Sequence, residues 1–174
     1  LRPSDRALEL GCGTGSTALR LAPHAADYLA TDLSAEMIAI AQEKLAVTPV
    51  PSLRFGVAGA EEADAAPPYD VVLAFNLLHL VPDLDATLAG VAARLRPGGL
   101  FISKTACITE LNVFIRAALP LMRWVGKAPA NVKVFDEASL IMAIQRAGFA
   151  VEAVERHGTN GQDVRAFVLA RKPA

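Results

Sequence analysis

The feature that most constrains this chain is a run of glycines at every second position, Glu9-Leu10-Gly11-Cys12-Gly13-Thr14-Gly15, set between an apolar segment and a helical one. Lacking Cβ atoms, these positions let the backbone turn sharply and approach a ligand closely. The helix that follows begins with N–H groups that have no partner inside it. A strand, a glycine turn and a helix in succession belong in an open α/β sheet, where ligands bind at the carboxyl ends of the strands, at the point where strand order reverses.

The remainder of the chain keeps the same alternation. Strands are predicted over Arg6–Leu10, Tyr28–Thr31, Leu53–Val57, Tyr69–Phe75, Leu100–Thr105, Phe149–Arg156 and Val164–Arg171. Tyr69–Phe75 is a continuous apolar run, as in a strand buried on both faces. Helices are predicted over Ser16–Ala25, after a Ser34 cap with Met37, Ile38, Ala41 and Leu45 as the apolar face, over Leu84–Leu95, and after an Asp136 cap. The connection His157–Asp163 is too short for a crossover helix, so the last two strands pair antiparallel. Residues 107–134 interrupt the rhythm. Leu111, Phe114, Ile115, Ala118, Leu119 and Met122 fall near helical spacing there, which predicts an apolar insert able to roof a substrate pocket. A chain of 174 residues fits one domain, 1–174.

Composition narrows the function. The net charge of −1, with no basic stripe, argues against a nucleic-acid partner. No apolar run reaches the length of a membrane span, and no secretory leader opens the chain. Cys12 and Cys107 are too few for a disulfide framework, and no Cys/His cluster has metal-ligand spacing, so a cytoplasmic protein without a bound metal is expected.

Glycine spacing then separates ligand classes. The dinucleotide pattern G-x-G-x-x-G, started at Gly11, places Ser16 at its third glycine; started at Gly13, it places Ala18 there and leaves Gly15 in the middle. Glu9, just before the loop, would repel a pyrophosphate but suits an amino group. S-adenosylmethionine carries an amino group and no phosphate.

The run E-x-G-x-G-x-G resembles motif I of the class I S-adenosylmethionine-dependent methyltransferases. Asp32, 17 residues after Gly15, resembles the acid that ends their second strand and holds the ribose hydroxyls. Asp70–His79 is similar to their fourth-strand motif, Leu95-Arg96-Pro97-Gly98-Gly99 to the turn before their fifth strand, and Arg165–Lys172 to their last, antiparallel strand. The resemblance covers nearly the whole chain and is strongest toward small-molecule methyltransferases of the kind seen in quinone biosynthesis. It implies a doubly wound, mostly parallel seven-stranded sheet, and transfer of a methyl group from S-adenosylmethionine to a small, apolar acceptor.

The resemblance also assigns a site. Glu9, Gly11, Cys12, Gly13 and Gly15 form the cofactor loop, Asp32 the ribose contact, Leu33 and Met37 the flanks of the adenine, and Asn76 and Leu77 the edge after the fourth strand. Where the family usually carries an acid near the adenine amino group, this chain has Gly59, leaving the backbone of Ala60 or the side chain of Glu61 for that contact. The family also usually has helices ahead of the first strand, which here begins at Arg6, so a trimmed or open substrate side is expected. Asn76-Leu77-Leu78-His79 lacks the prolines of the turn that holds amine substrates, which favours O-, C- or S-methylation. His79 is the leading candidate base, because its ordinary pKa lies near neutrality; a helix-capping role is the alternative. His157, Lys104 and Arg116 are weaker candidates for the substrate side, with solvent contact the favoured reading of each. Two other readings stay open: a silent S-adenosylmethionine-binding module, and a nicotinamide-dependent oxidoreductase, for which no Tyr-x-x-x-Lys set is present.

Overall fold

The computed structural model describes residues 1–60, 68–106, 136–157 and 165–174. The strands are β1 (Arg6–Leu10), β2 (Asp27–Asp32), β3 (Leu53–Val57), β4 (Tyr69–Phe75), β5 (Leu95–Ala106), β6 (Ala150–His157) and β7 (Arg165–Arg171). The helices among the described residues are α1 (Ser16–Leu21), α2 (Ala35–Val47), α3 (Leu84–Arg94) and α4 (Glu137–Arg146). The strands form one seven-stranded sheet in the order β3-β2-β1-β4-β5-β7-β6. Pairs from β3 through β5 are parallel, and β7 runs antiparallel to both β5 and β6. This is the doubly wound sheet expected from the sequence, with its antiparallel closing strand. Strand order reverses between β1 and β4, so the loops that leave these two strands diverge and open a crevice between them.

Each face of the sheet is covered by its own pair of helices. Ala18 of α1 and Ile38 and Ala41 of α2 pack over Ala7, Val71 and Leu73. On the other face Leu88 and Val91 of α3 and Leu140 and Ile144 of α4 cover Leu8, Leu10, Val72 and Phe101. Val71 to Ala74 are all buried, because successive residues of a central strand point alternately into the two layers. Full burial of a side chain such as Leu88 contributes roughly 1.5–3 kcal/mol.

Helix ends follow local chemistry. Ser34 accepts from the Met37 N–H at 3.3 Å, and Asp136 from the Ser139 N–H at 2.7 Å, as the capping pattern predicts. The first helix is shorter than predicted. The α-helix stops at Leu21 and a 3₁₀ turn, Ala22–His24, replaces its end. Pro23 lacks the N–H that would continue the ladder. β5 begins at Leu95 rather than Leu100, because Gly98 and Gly99 let the chain run on past Pro97. The Gly98 N–H donates to the Lys172 carbonyl and the Lys172 N–H to the Gly99 carbonyl, each at 2.9 Å. Gly98 is left-handed (φ +75), and a Cβ on Gly99 would lie 2.9 Å from the Arg96 carbonyl. The Lys172 ammonium donates to the Ala92 and Leu95 carbonyls at the C-terminal end of α3, where a cation is favoured.

Among the described residues no helix is long and apolar enough to cross a membrane. Glu61 and the insert at 107–134 lie outside the described residues, as does the side chain of His157.

Candidate functional site

The glycine loop leaves β1 at the switch point and is fastened to the neighbouring strand by two main-chain donors. The Cys12 N–H donates to the Thr31 carbonyl at 2.9 Å, and the Gly13 N–H to Asp32 Oδ2 at 2.8 Å. The other Asp32 oxygen accepts from the Ser34 N–H at 2.9 Å. A carboxylate offers about four acceptor positions, so Asp32 keeps capacity for a ligand hydroxyl. Gly11, Gly13 and Gly15 are all left-handed, with φ of +67, +54 and +73. Their requirements differ. A Cβ on Gly11 would meet Leu77 Cδ1 at 2.8 Å and one on Gly15 would meet Phe55 Cζ at 2.5 Å, so both glycines permit close packing. Nothing lies within 4 Å of a Cβ on Gly13, which borders open space where a ligand can approach the backbone.

Beside this loop lies a cavity of about 410 Å³. Gly11 and Asp32 form one side. Leu33, Ala58, Gly59 and Ala60 form the β2 and β3 side, and Asn76, Leu77, Leu80, Val81, Pro82 and Thr87 the side that follows β4. Leu33 is 75% exposed and Leu80 40%, an arrangement that offers apolar surface to a flat ligand. Asn76 has φ 55 and donates its N–H to the Lys104 carbonyl at 2.6 Å. Asparagine tolerates this conformation better than most residues, and such strain concentrates at ligand sites.

Of the residues assigned from sequence, Gly11, Asp32, Leu33, Ala60, Asn76 and Leu77 meet at the cavity wall. Five others stand apart from the wall. Glu9 is 2% exposed and accepts from the Tyr28 hydroxyl at 2.8 Å, beneath the loop. Burial pushes its carboxyl up to about 7, against the opposing pull of the Tyr28 hydrogen bond. The Cys12 side chain turns inward, and its thiol is pushed up to about 12, by burial first and then by the negative charges of Glu9 and Asp32. Of the two carboxyls, the Asp32 carboxylate is the one that reaches the cavity wall, while Glu9 lies buried beneath the loop. Gly15 packs against Phe55 and Ala41, and Gly13 borders open space next to the wall residues. Met37, 42% exposed, lies on the outward side of α2 and not in the apolar face predicted for it; Ile38 and Ala41 carry that face.

His79 is half-buried, and its Nδ1 is closed to solvent with no hydrogen-bond partner among the described residues. Burial first, and the positive charge of Arg165 second, hold its pKa below the ordinary value, so the ring is neutral at pH 7. It follows directly on the Asn76–Leu78 turn but does not line the cavity.

Several contributors to the site carry no motif. Leu80, Val81 and Pro82 of the β4–α3 connection and Thr87 of the first turn of α3 complete the wall. Arg94, from the far end of α3, donates to the Ala60 carbonyl at 3.0 Å and holds the loop after β3. One signal of this was visible: Gly90 sits inside a helix, where glycine is unfavourable. A Cβ there would lie 2.9 Å from the Arg94 guanidinium.

A family model for a methyltransferase domain matches residues 8–101, which span β1 through most of β5. The ubiquinone biosynthesis O-methyltransferase of Rhizobium etli is 31% identical over 184 residues, covering 97% of this chain and 73% of that protein. A highly reducing polyketide synthase of Gibberella zeae is 36% identical over 59% of this chain, a match that takes up 4% of the synthase. In three dimensions the chain superposes on the magnesium protoporphyrin IX methyltransferase of Synechocystis, solved with bound S-adenosylhomocysteine, with a TM-score of 0.76 at 20% identity over 98% of this chain and 74% of that one, which shows the shared fold. The switch-point loop, the sheet order and the family match agree: this chain belongs to the methyltransferase domain family and is a class I S-adenosylmethionine-dependent methyltransferase.

Proposed function

We propose that the chain methylates a small, largely apolar acceptor through a hydroxyl oxygen, with the cofactor held in the crevice between β1 and β4. The observation that carries this reading is the convergence of the glycine loop, Asp32 and the β4 loop on one cavity, with the negative field of the Asp32 carboxylate at its loop end. That field suits a ligand bearing a sulfonium and an ammonium group and opposes a pyrophosphate, which disfavours a nicotinamide dinucleotide. The O-methyltransferase named among the relatives supports a hydroxyl acceptor.

The residues divide the work by position. Asp32 accepts ribose hydroxyls while staying fixed by Gly13 and Ser34. Leu33 flanks the adenine from the wall, with Met37 reaching toward it from the exposed side of α2, and the backbone of Ala60 supplies the contact that Gly59 cannot. The open side of Gly13 receives the amino-acid end of the cofactor, with the buried Glu9 carboxyl lying beneath the loop. Asn76 and Leu77 close the opposite edge. The cofactor supplies an electrophilic methyl with a neutral leaving group, so the protein's part is mainly alignment and exclusion of water. His79, neutral at pH 7, accepts the proton that the hydroxyl must lose. The insert at 107–134 serves as an apolar lid over the acceptor, 1–174 works as one domain, and the protein acts in the cytoplasm on small molecules without a nucleic-acid partner.

Calorimetric titration of S-adenosylhomocysteine and of NADH into the protein tests the cofactor assignment. Saturable micromolar binding of the first alone is expected. Binding of NADH alone would replace this reading with a nicotinamide enzyme. Turnover of a phenolic acceptor panel then tests the acceptor class.

A further inference from the structure

The glycine loop has a second anchor, made by residues that do not line the cavity. Lys44 stands in the last turn of α2. Its ammonium donates to the Thr14 carbonyl at 2.9 Å, to Thr14 Oγ1 at 2.8 Å and to Ser16 Oγ at 3.2 Å. These three contacts use all the donors of a lysine. The placement runs against the local helix field, because Thr14–Ser16 forms the N-terminal end of α1, where a cation is disfavoured. That end also lacks a side-chain cap, Gly15 being the N-cap. The bonds to three oxygens therefore outweigh an adverse dipole. On the near side, Cys12 and Gly13 are tied to β2 through Thr31 and Asp32. Lys44 ties the far half, Thr14–Ser16, to α2.

We infer that Lys44 is a positioning residue for cofactor binding: it holds the Thr14–Ser16 half of the glycine loop in its receptive shape by bracing it against α2, without touching the ligand. Three left-handed glycines in five residues make the loop intrinsically free, and a loop ordered before binding loses less entropy on binding. The inference rests on the proposed role of the loop as the cofactor cradle.

The test is calorimetry with S-adenosylhomocysteine on the wild type, Lys44→Met, Lys44→Arg and Thr14→Val, each with its melting temperature. Lys44→Met keeps the aliphatic stem and removes every donor. It is expected to weaken binding about fivefold or more with a melting temperature close to the wild type, Lys44→Arg to recover most of the affinity, and Thr14→Val to show part of the loss. The double variant Lys44→Met/Thr14→Val should bind no worse than the sum of the single effects, and less than additively if the two act as one unit. Binding by Lys44→Met within about twofold of the wild type, or equal losses in the Met and Arg variants, would overturn the inference while leaving the cofactor cradle intact. Should Lys44→Met fold poorly, normal affinity in Thr14→Val with Ser16→Ala would overturn it equally. Failure of the wild type itself to bind would overturn the cradle, and the brace with it.

Discussion

The Tyr28 hydroxyl donates to Glu9 Oε2 at 2.8 Å in a site that solvent does not reach, directly beneath the glycine loop. The folded protein therefore holds Glu9 protonated to about pH 7, whereas the unfolded chain releases that proton near pH 4.5. Between those values the folded state binds more protons than the unfolded state, so stability is full below about pH 4.5 and falls as pH rises through 7. The shift corresponds to roughly 3 kcal/mol. Glu9→Gln keeps an acceptor for Tyr28 and removes the titration. Urea unfolding at pH 5 and pH 8 should show a smaller decline for the variant; parallel declines would show that Glu9 is not the buried neutral acid described here.

Asp32 joins the loop, α2 and the cavity in one carboxylate. Asp32→Ala leaves the Gly13 and Ser34 N–H groups without their acceptor, at about 1–3 kcal/mol of stability. It also removes the ribose contact, and S-adenosylhomocysteine affinity should drop by about tenfold or more. Wild-type affinity in this variant would remove Asp32 from the cofactor site.

Gly13 and Gly15 should separate binding from stability. A methyl on Gly15 would stand 2.5 Å from Phe55 and 2.9 Å from the Ala41 Cβ at φ +73, so Gly15→Ala should cost about 2–4 kcal/mol. Gly13→Ala meets no protein atom and should cost only about 1–2 kcal/mol from its φ of +54, yet impair cofactor binding by filling the approach to the backbone. Denaturation and calorimetry on both variants check the contrast. A Gly13→Ala protein with unimpaired binding would place the ligand elsewhere.

His79→Ala should leave S-adenosylhomocysteine affinity nearly unchanged and lower kcat by about 10²–10⁴ on a hydroxyl acceptor. Because only the neutral ring accepts a proton and burial holds its pKa below the ordinary value, wild-type activity should persist below the pH at which a free histidine protonates and fall only as pH drops through the lowered pKa. An unaltered kcat would reduce His79 to a packing residue at the end of β4.

The parts legible in the sequence are those written in short-range pattern. The seven strands, the Ser34 and Asp136 caps and the glycine loop all depend on neighbours within a few residues. Pro23 ends α1 early inside a stretch predicted helical as far as Ala25, a local breaker the helix prediction did not include. Met37 fell at a helical spacing that suited the core, and the packing of α2 leaves it 42% exposed while Ile38 and Ala41 are buried. Lys44 on Thr14 and Arg94 on Ala60 span 30 and 34 residues, and long polar side chains in helices carry no local mark of what they will reach. The back wall at Leu80–Pro82 reads as an ordinary loop until the sheet fixes where it returns.

Strand order also bears on how the protein is made. β7 lies between β5 and β6, although it comes last in sequence among these seven strands. The half of the sheet that carries the glycine loop and Asp32 is contiguous in sequence and can assemble early, one strand against the previous ones. The other half stays open at β5 until Arg165–Arg171 arrive, and β6 has no partner in the sheet before then. A nascent chain would thus carry a finished cofactor half beside an exposed strand edge, and the step that seals the molecule is the insertion of β7.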